Sequence, residues 1–245
     1  MTAAAAFSGP DRPLRAASMA GPSVFRSAPR WLFALLLAGA TSALAKDEVR
    51  LAEVREVPLE RPVAARGASH ELRLALYTFQ GGRWSPDEIV PAVRAAAVLV
   101  AQCGVVLARA DLHVLEAPRR FHLYFTPVSR ERLRQTRVAR PAVFFVDDTR
   151  NRPAYDAEAI GRSNAAARPE LADTVWIAHG ARDLPQALAH ELVHVLADNG
   201  AHSRELGNLM RPETSPRNIN LTPAQCAQLR TQGEANGLLR SMKSS

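Results

Sequence analysis

Hydrophobic and polar positions alternate in some segments of the chain and recur every three to four residues in others. Alternation is typical of strands, and the longer period is typical of amphipathic helices. Glu71–Phe79 places Leu72, Leu74 and Leu76 at alternate positions, so it is predicted to be a strand. Shorter apolar runs predict further strands at Leu112–Leu115, Phe121–Phe125, Ala142–Val146, Ala157–Arg162 and Thr174–Ala178.

Helix starts are marked by capping residues that precede apolar residues at helical spacing. The segment from Ser85 to Glu88 has the residues of a capping box with Pro in the first turn, and it predicts a helix that ends near Cys103. Thr222 opens a last helix by the same logic, and Ser129–Val138 is predicted to be a short Arg-rich helix. The order of these elements predicts an α+β domain.

A stripe of Leu and Val residues between Leu184 and Leu196 predicts one more helix, mostly buried. Asp183 is expected to cap its start. Gly200 is expected to end it, because Gly readily takes the left-handed conformation found at helix C-termini. This helix therefore ends just after the histidines that it carries.

Those histidines belong to the sequence HELVH, which runs from His190 to His194. Two His four positions apart lie on the same face of a helix, one turn apart, so both imidazoles can reach one metal ion. Glu191 lies beside the first His, where it can take a proton from a zinc-activated water without binding the metal. This pattern predicts a hydrolytic zinc site.

The third ligand is predicted to be His202, which follows Gly200 by two residues. Three His would leave one open position for water, which is the arrangement of catalytic zinc. Glu205 or Glu213 could replace His202, as in gluzincin-type zinc hydrolases. Asp198, four residues after His194, could orient an imidazole by accepting its free N–H.

The segment from Leu184 to Pro212 resembles the metzincin zinc metallopeptidases, especially the matrixin branch. As in matrixins, a Ser follows the third His, and Met210 comes eight residues after His202. The chain departs from the family in the linker, which is two residues longer: Ala197 and Gly200 occupy the positions where the family has its Gly and its third His.

This resemblance implies a twisted mixed β-sheet with two helices on one face, a zinc helix, a Met-turn and a C-terminal helix. It implies one catalytic Zn²⁺ held by His190, His194 and His202, with Met210 as the apolar floor beneath them. It further implies an endopeptidase that hydrolyses peptide or protein substrates, with Glu191 as the general base. The alternative from a different class is a non-catalytic zinc-binding envelope protein.

The first 45 residues are predicted to be a signal peptide. The apolar run Trp31–Ala40 follows two Arg residues, and Ala43–Ala45 offers a small-x-small cleavage site, so Lys46 is the expected mature N-terminus. Met19 could be the true start. The run is too short for a comfortable membrane span, so we expect a periplasmic or secreted protein without a stable membrane span after cleavage.

The remaining chain is interpreted as a linker or short prosegment at 46–69 and a metallopeptidase-like domain at 70–245. Without its first 45 residues it carries 27 basic and 23 acidic residues, a net charge of only +4. No nucleic-acid-binding motif is present, so no nucleic-acid partner is expected. In an oxidising compartment Cys103 and Cys226 are predicted to form a disulfide, and the protein is expected to be a monomer.

The two segments expected to shape the cleft, Asp147–Asp173 and Arg211–Asn220, have no interpretable periodicity. Within the first of them, Ala157–Arg162 is predicted to be an edge strand that could receive an extended peptide by strand addition.

Overall fold

A mixed β-sheet lies at the centre of the computed structural model, which describes residues 48–59, 67–150, 159–162 and 169–242. Among these residues the sheet has seven strands. They are β1 (Arg50–Glu56), β2 (His70–Phe79), β3 (Val105–Glu116), β5 (Ala142–Val146), β7 (Ala159–Arg162), β8 (Thr174–Ala178) and β9 (Leu239–Ser241). The remaining two strands, β4 (Leu123–Tyr124) and β6 (Asp148–Thr149), form a separate parallel pair.

The strand order across the sheet is β1-β3-β2-β5-β8-β7. The inner strands β3, β2, β5 and β8 are mutually parallel, whereas β1 and β7 pair antiparallel with their neighbours. The first residues of β2 pair antiparallel with β9. Within the described part of the chain, β1 and β7 therefore stand at the two ends of the strand order.

The described residues contain four α-helices: α1 (Pro86–Ala101), α2 (Thr126–Gln135), α3 (Leu184–Ala197) and α4 (Pro223–Ala235). Leu72, Leu74 and Leu76 of β2 face a core that α1 and α3 share. Tyr77 and Phe79 face a second core on the opposite side of the sheet, which includes Leu133 of α2. Because successive strand side chains point to opposite faces, helices cover both faces of β2.

The structure has the predicted α+β fold class, a mixed sheet with two helices on one face. The predicted strands at Ala142–Val146 and Thr174–Ala178 have the observed bounds, and the predicted edge strand is observed at Ala159–Arg162. The start of α1 is confirmed as well: the Glu88 carboxylate accepts hydrogen bonds from the N–H and hydroxyl of Ser85, at 2.9 and 2.8 Å.

Part of the stretch interpreted as a linker or short prosegment, 46–69, forms β1, and that interpretation stays a prediction. Two predictions about local structure were wrong. Phe121–Phe125 is not one strand: a 3₁₀ turn at Arg119–His122 leads into the two-residue β4. The Arg-rich helix begins at Thr126 with Pro127 in its first turn, and ends at Gln135 because Thr136 is extended (φ −116°, ψ 124°).

A disulfide joins Cys103, just past the end of α1, to Cys226 in the first turn of α4. It confirms the predicted pairing. The bond connects residues 123 positions apart in the sequence, so it ties the last helix to the first.

No helix within residues 48–59, 67–150, 159–162 and 169–242 is long and apolar enough to cross a membrane. The predicted signal peptide, its cleavage site and Lys46 lie outside the described residues.

Candidate metal centre

Helix α3 holds two of the predicted ligands inside the protein. Its Leu188 and Leu192 lie in the core shared with α1, and this contact fixes the rotation of the helix about its axis. His190 and His194, one turn apart, are consequently buried, with only 4% and 8% of their surface exposed. The predicted buried helix is confirmed, from Leu184 to Ala197.

The three predicted His ligands meet at one point. The Nε2 atoms of His190 and His194 lie 2.9 Å apart, and those of His194 and His202 lie 3.3 Å apart. Each ring offers a nitrogen within 4.8 Å of the others. His202 reaches this point from the loop after α3 and, unlike the other two, is exposed. The two-residue-longer linker therefore still delivers a third imidazole.

The opposite nitrogens of the two buried rings face backbone carbonyls. The Nδ1 of His190 lies 2.8 Å from the Leu209 oxygen, and the Nδ1 of His194 lies 2.6 Å from the Asn199 oxygen. A carbonyl oxygen only accepts hydrogen bonds, so each Nδ1 carries the proton and donates it. When both rings are neutral, the Nε2 of His190 and the Nε2 of His194 then point their lone pairs towards each other.

Burial keeps both rings neutral. It lowers the pKa of His190 to about 4, against a smaller opposing effect of the Leu209 carbonyl. Burial likewise lowers the pKa of His194, again opposed by its backbone hydrogen bond. At pH 7 neither ring holds the second proton that a hydrogen bond between the two Nε2 atoms would require. Two lone pairs at 2.9 Å repel each other unless a cation lies between them.

A zinc ion fits these donors. Imidazole nitrogens lie about 2.0–2.1 Å from zinc, so two of them on one tetrahedral ion are about 3.3 Å apart. The His194–His202 distance of 3.3 Å matches this separation, and the 2.9 Å between His190 and His194 is slightly shorter. The three imidazoles thus form a site that can hold a metal ion.

The helix ends differently from the prediction. Asp198, not Gly200, takes the left-handed conformation, with φ 46° and ψ 46°. Asp tolerates this conformation better than most residues because its short side chain can hydrogen-bond locally. The Nδ1 atoms of His190 and His194 meet the carbonyls of Leu209 and Asn199, and an orienting role for the Asp198 carboxylate stays a prediction. At the other end, Asp183 is also left-handed (φ 50°) rather than extended like a capping residue.

The turn that carries Met210 contacts the first predicted ligand, His190, through the carbonyl of Leu209. Leu209, whose carbonyl meets His190, and Met210 are both buried in the core shared with α3. The Met210 carbonyl accepts the N–H of Ser203, next to His202, at 2.7 Å. Gly207, with φ +75°, supplies the left-handed step into this turn that favours Gly.

Glu205 and Glu213 do not join the cluster. In the described part of the chain, the group of side chains placed to share a metal ion consists of His190, His194 and His202. The Glu213 side chain is 78% exposed and lies 3.8 Å from Arg211. Glu205 is exposed on the loop beyond His202. This placement favours His202 as the third ligand.

Glu191 follows His190 on α3 and is partly exposed, in contrast to its buried neighbours. One residue along a helix is a rotation of about 100°, so its carboxylate leaves the helix beside the ligand face rather than on it. That position suits a group that acts on a metal-bound molecule without binding the metal.

The other four histidines stay outside the cluster. His70 lies 3.4 Å from Glu234, and His113 stacks on Tyr77. His122 stacks on Phe79, and His179 meets Trp84 edge-on. Sequence reasoning missed the two carbonyls that orient the ligands. No signal could have revealed them, because every residue has a carbonyl.

No protein-family model and no curated relative matches this sequence. Among solved structures, the chain is similar to metalloproteinase-II from Bacteroides fragilis, with a TM-score of 0.45 and 15% sequence identity. The match covers 73% of this chain, and the chain spans 57% of the length of that protein.

Proposed function

We propose that this protein is an exported zinc-dependent endopeptidase of the metzincin type. The observation that carries the proposal is the convergence of three imidazole Nε2 atoms, two of them fixed as lone-pair donors by backbone carbonyls. A set of three neutral nitrogen donors is that of a catalytic zinc site with one open position.

His190, His194 and His202 would hold the ion. When bound, zinc lowers the pKa of water towards neutrality and polarises a carbonyl oxygen. The Leu209 and Asn199 carbonyls keep the protons of His190 and His194 on Nδ1, away from the metal, and the buried core keeps both rings from turning. The chain therefore presents these two imidazoles already in the binding tautomer.

Glu191 would act as the general base and then as the general acid. Its carboxylate takes a proton from the attacking water and later delivers it to the departing amine of the cleaved peptide. A site that served only to bind zinc would need no such group beside its ligands. The presence of Glu191 at this position favours hydrolysis over the non-catalytic alternative.

Strand β7 supports a peptide as the substrate. Within the described residues it is the last strand of the sheet, antiparallel to β8, and its backbone lies against α3. An extended peptide can add to such an edge through backbone hydrogen bonds. A peptide bound there would run alongside the helix that carries His190 and Glu191.

The disulfide supports export, because such bonds persist mainly in oxidising compartments. It accords with the predicted signal peptide at 1–45 and with a periplasmic or secreted location.

Metal analysis combined with a peptide assay tests the proposal. The exported protein should contain one zinc ion per chain and cleave members of a peptide library. A chelator should abolish cleavage, and added zinc should restore it. Protein that holds zinc and cleaves no peptide would favour the binding-module alternative, whereas cleavage that appears only after proteolysis within 46–69 would indicate an inhibitory prosegment. Protein that binds no zinc would overturn the proposal.

A further inference from the structure

Helix α4 contacts both segments that orient the buried ligands, through two glutamines on one of its faces. Gln225 and Gln228 lie three positions apart, so they are neighbours on the helix surface. Both line a pocket of about 270 Å³ that His202 also lines. Between them lies Cys226, whose disulfide to Cys103 fixes this turn of α4 to α1.

Gln225 connects to His190 through Asn208. The two side-chain amides exchange hydrogen bonds: Asn208 Nδ2 donates to Gln225 Oε1 at 3.0 Å, and Gln225 Nε2 donates to Asn208 Oδ1 at 3.3 Å. Asn208 Oδ1 also accepts the N–H of Met210, at 2.9 Å. Asn208 is buried, with 2% of its surface exposed, so a lost partner would leave an unsatisfied polar group.

The N–H of Met210 and the carbonyl of Leu209 belong to one peptide unit. A peptide unit is planar and rigid, so the contact that holds its N–H also sets the direction of its oxygen. That oxygen lies 2.8 Å from His190 Nδ1. The Asn208–Gln225 pair therefore holds one end of a rigid plane whose other end orients the first ligand.

Gln228 connects to His194 through a single residue. Asn199 accepts from His194 Nδ1 with its backbone oxygen, at 2.6 Å, and donates from its side-chain Nδ2 to Gln228 Oε1, at 3.2 Å. Gln228 Nε2 donates in turn to the Ala197 carbonyl at the end of α3, at 3.4 Å. Gln228 thus joins the end of α3 to Asn199, whose carbonyl orients His194.

We infer that Gln225 and Gln228 are positioning residues that set the orientation of His190 and His194 from a helix that supplies no ligand. This inference rests on the proposed metal site and extends it to α4. The hydrogen bond between Gln225 and Asn208 is shorter than that between Gln228 and Asn199, and Asn208 is the more buried of the two asparagines. Loss of Gln225 should therefore reduce zinc affinity more than loss of Gln228.

Zinc affinity of the mature protein, measured by competition with a fluorescent chelator, tests the inference. Replacement of partners around metal-binding imidazoles typically weakens metal affinity by 10–100-fold. Because these amides act through a further residue, we expect a loss of roughly tenfold for Gln225→Ala and about threefold for Gln228→Ala. Asn208→Ala should match Gln225→Ala, and the double variant should lose little more than either single variant.

Two control variants separate positioning from a general weakening of α4. Gln232→Ala removes a glutamine two turns after Gln225 that belongs to neither the Gln225–Asn208 nor the Gln228–Asn199 contact. This variant should bind zinc as the wild type does. Thr222→Ala removes the hydroxyl that accepts the Gln225 N–H in the helix cap, at 3.2 Å, and leaves the Gln225–Asn208 pair in place. It should lower the melting temperature but spare zinc affinity.

Cobalt substitution adds a readout that a purely structural role would not change. The visible absorption of bound Co²⁺ reports the ligand geometry, and it should shift in Gln225→Ala and Asn208→Ala but not in Thr222→Ala. The inference is overturned if the wild type binds zinc while the Gln225 and Gln228 variants stay within twofold of it with unchanged cobalt spectra. It is also overturned if Thr222→Ala loses as much affinity as Gln225→Ala. A wild type that binds no zinc overturns the proposed function together with this inference.

Discussion

His190 and Leu209 lie 19 positions apart in the sequence, yet the Nδ1 of the ring and the carbonyl oxygen of Leu209 are 2.8 Å apart. This contact joins α3 to the turn that carries Met210. It fixes the proton of the ring on the nitrogen that faces away from the site. The fold therefore holds His190 in the tautomer that can bind a metal ion.

The identity of the third ligand can be tested by three substitutions. His202→Ala should lower zinc affinity by orders of magnitude, because it removes one of three converging nitrogens. Glu205→Ala and Glu213→Ala should leave affinity within a few-fold of the wild type. Zinc titration against a fluorescent chelator measures all three. Tight binding by His202→Ala together with weak binding by either Glu variant would instead indicate a gluzincin-type site.

The metal-free protein should lose stability on acidification. An unfolded His has a pKa of about 6.5, and burial lowers the pKa of His190 to about 4 in the folded state. Between these values the unfolded chain binds a proton that the folded chain does not, so the free energy of unfolding falls as the pH falls. The expected loss is up to about 3 kcal/mol.

Urea unfolding of chelator-treated protein, followed from pH 7 to pH 4, measures this loss. His190→Gln lacks the titrating ring and should show a shallower dependence on pH. Equal slopes for the two proteins would show that His190 is not the group responsible.

The disulfide should be present in exported protein and should stabilise it. The exported chain should begin at Lys46, and its intact mass should be two hydrogens lighter than that of the dithiol form. The double variant Cys103→Ser, Cys226→Ser should be less stable by about 2–4 kcal/mol, because the bond restricts the unfolded chain. Alkylation of both cysteines in unreduced exported protein would contradict the bond.

Arg132 is a buried cation in the core on the other face of the sheet. Its guanidinium lies 4.4 Å from the ring centroid of Trp176 and 4.5 Å from that of Phe144, and burial lowers its pKa to about 9. It donates to the Phe121 carbonyl at 2.5 Å. Within the part of the chain that the structure describes, its Nε and Nη2 have no hydrogen-bond partner.

Such a cation is costly to bury, and an apolar side chain of similar volume often replaces one without loss of stability. The free energy of unfolding of Arg132→Met should therefore lie within about 1 kcal/mol of the wild-type value. That of Arg132→Ala should be lower by about 3 kcal/mol, because the substitution leaves a cavity. Thermal and urea unfolding would measure the stability of each variant relative to the wild type. A large loss in Arg132→Met would show that the ring contacts outweigh the cost of burying the charge.

The elements that local sequence could predict are those with one apolar face and marked ends. α1 has both a capping box and helical periodicity, and the ligands on α3 follow from a motif within a single helix. The disulfide was predicted from there being only two cysteines in a chain expected to be exported. These features depend on residues close together in sequence or on simple counting.

The features that sequence could not predict depend on distant partners. All seven residues of β1 are exposed, so it has no apolar pattern and is recognisable only by its pairing with β3. β9 has three residues and depends on β2. The roles of Leu209 and Asn199 belong to backbone atoms. Asp198 takes the left-handed conformation two residues before Gly200, the residue type that favours it.

The most direct test of the account is Glu191→Ala, assayed for zinc content and for peptide hydrolysis on the same preparation. The substitution removes the proposed general base and none of the three proposed ligands. Zinc content should therefore remain near that of the wild type while nearly all hydrolysis is lost. A Glu191→Ala protein that cleaves a peptide library as fast as the wild type would contradict the proposed mechanism.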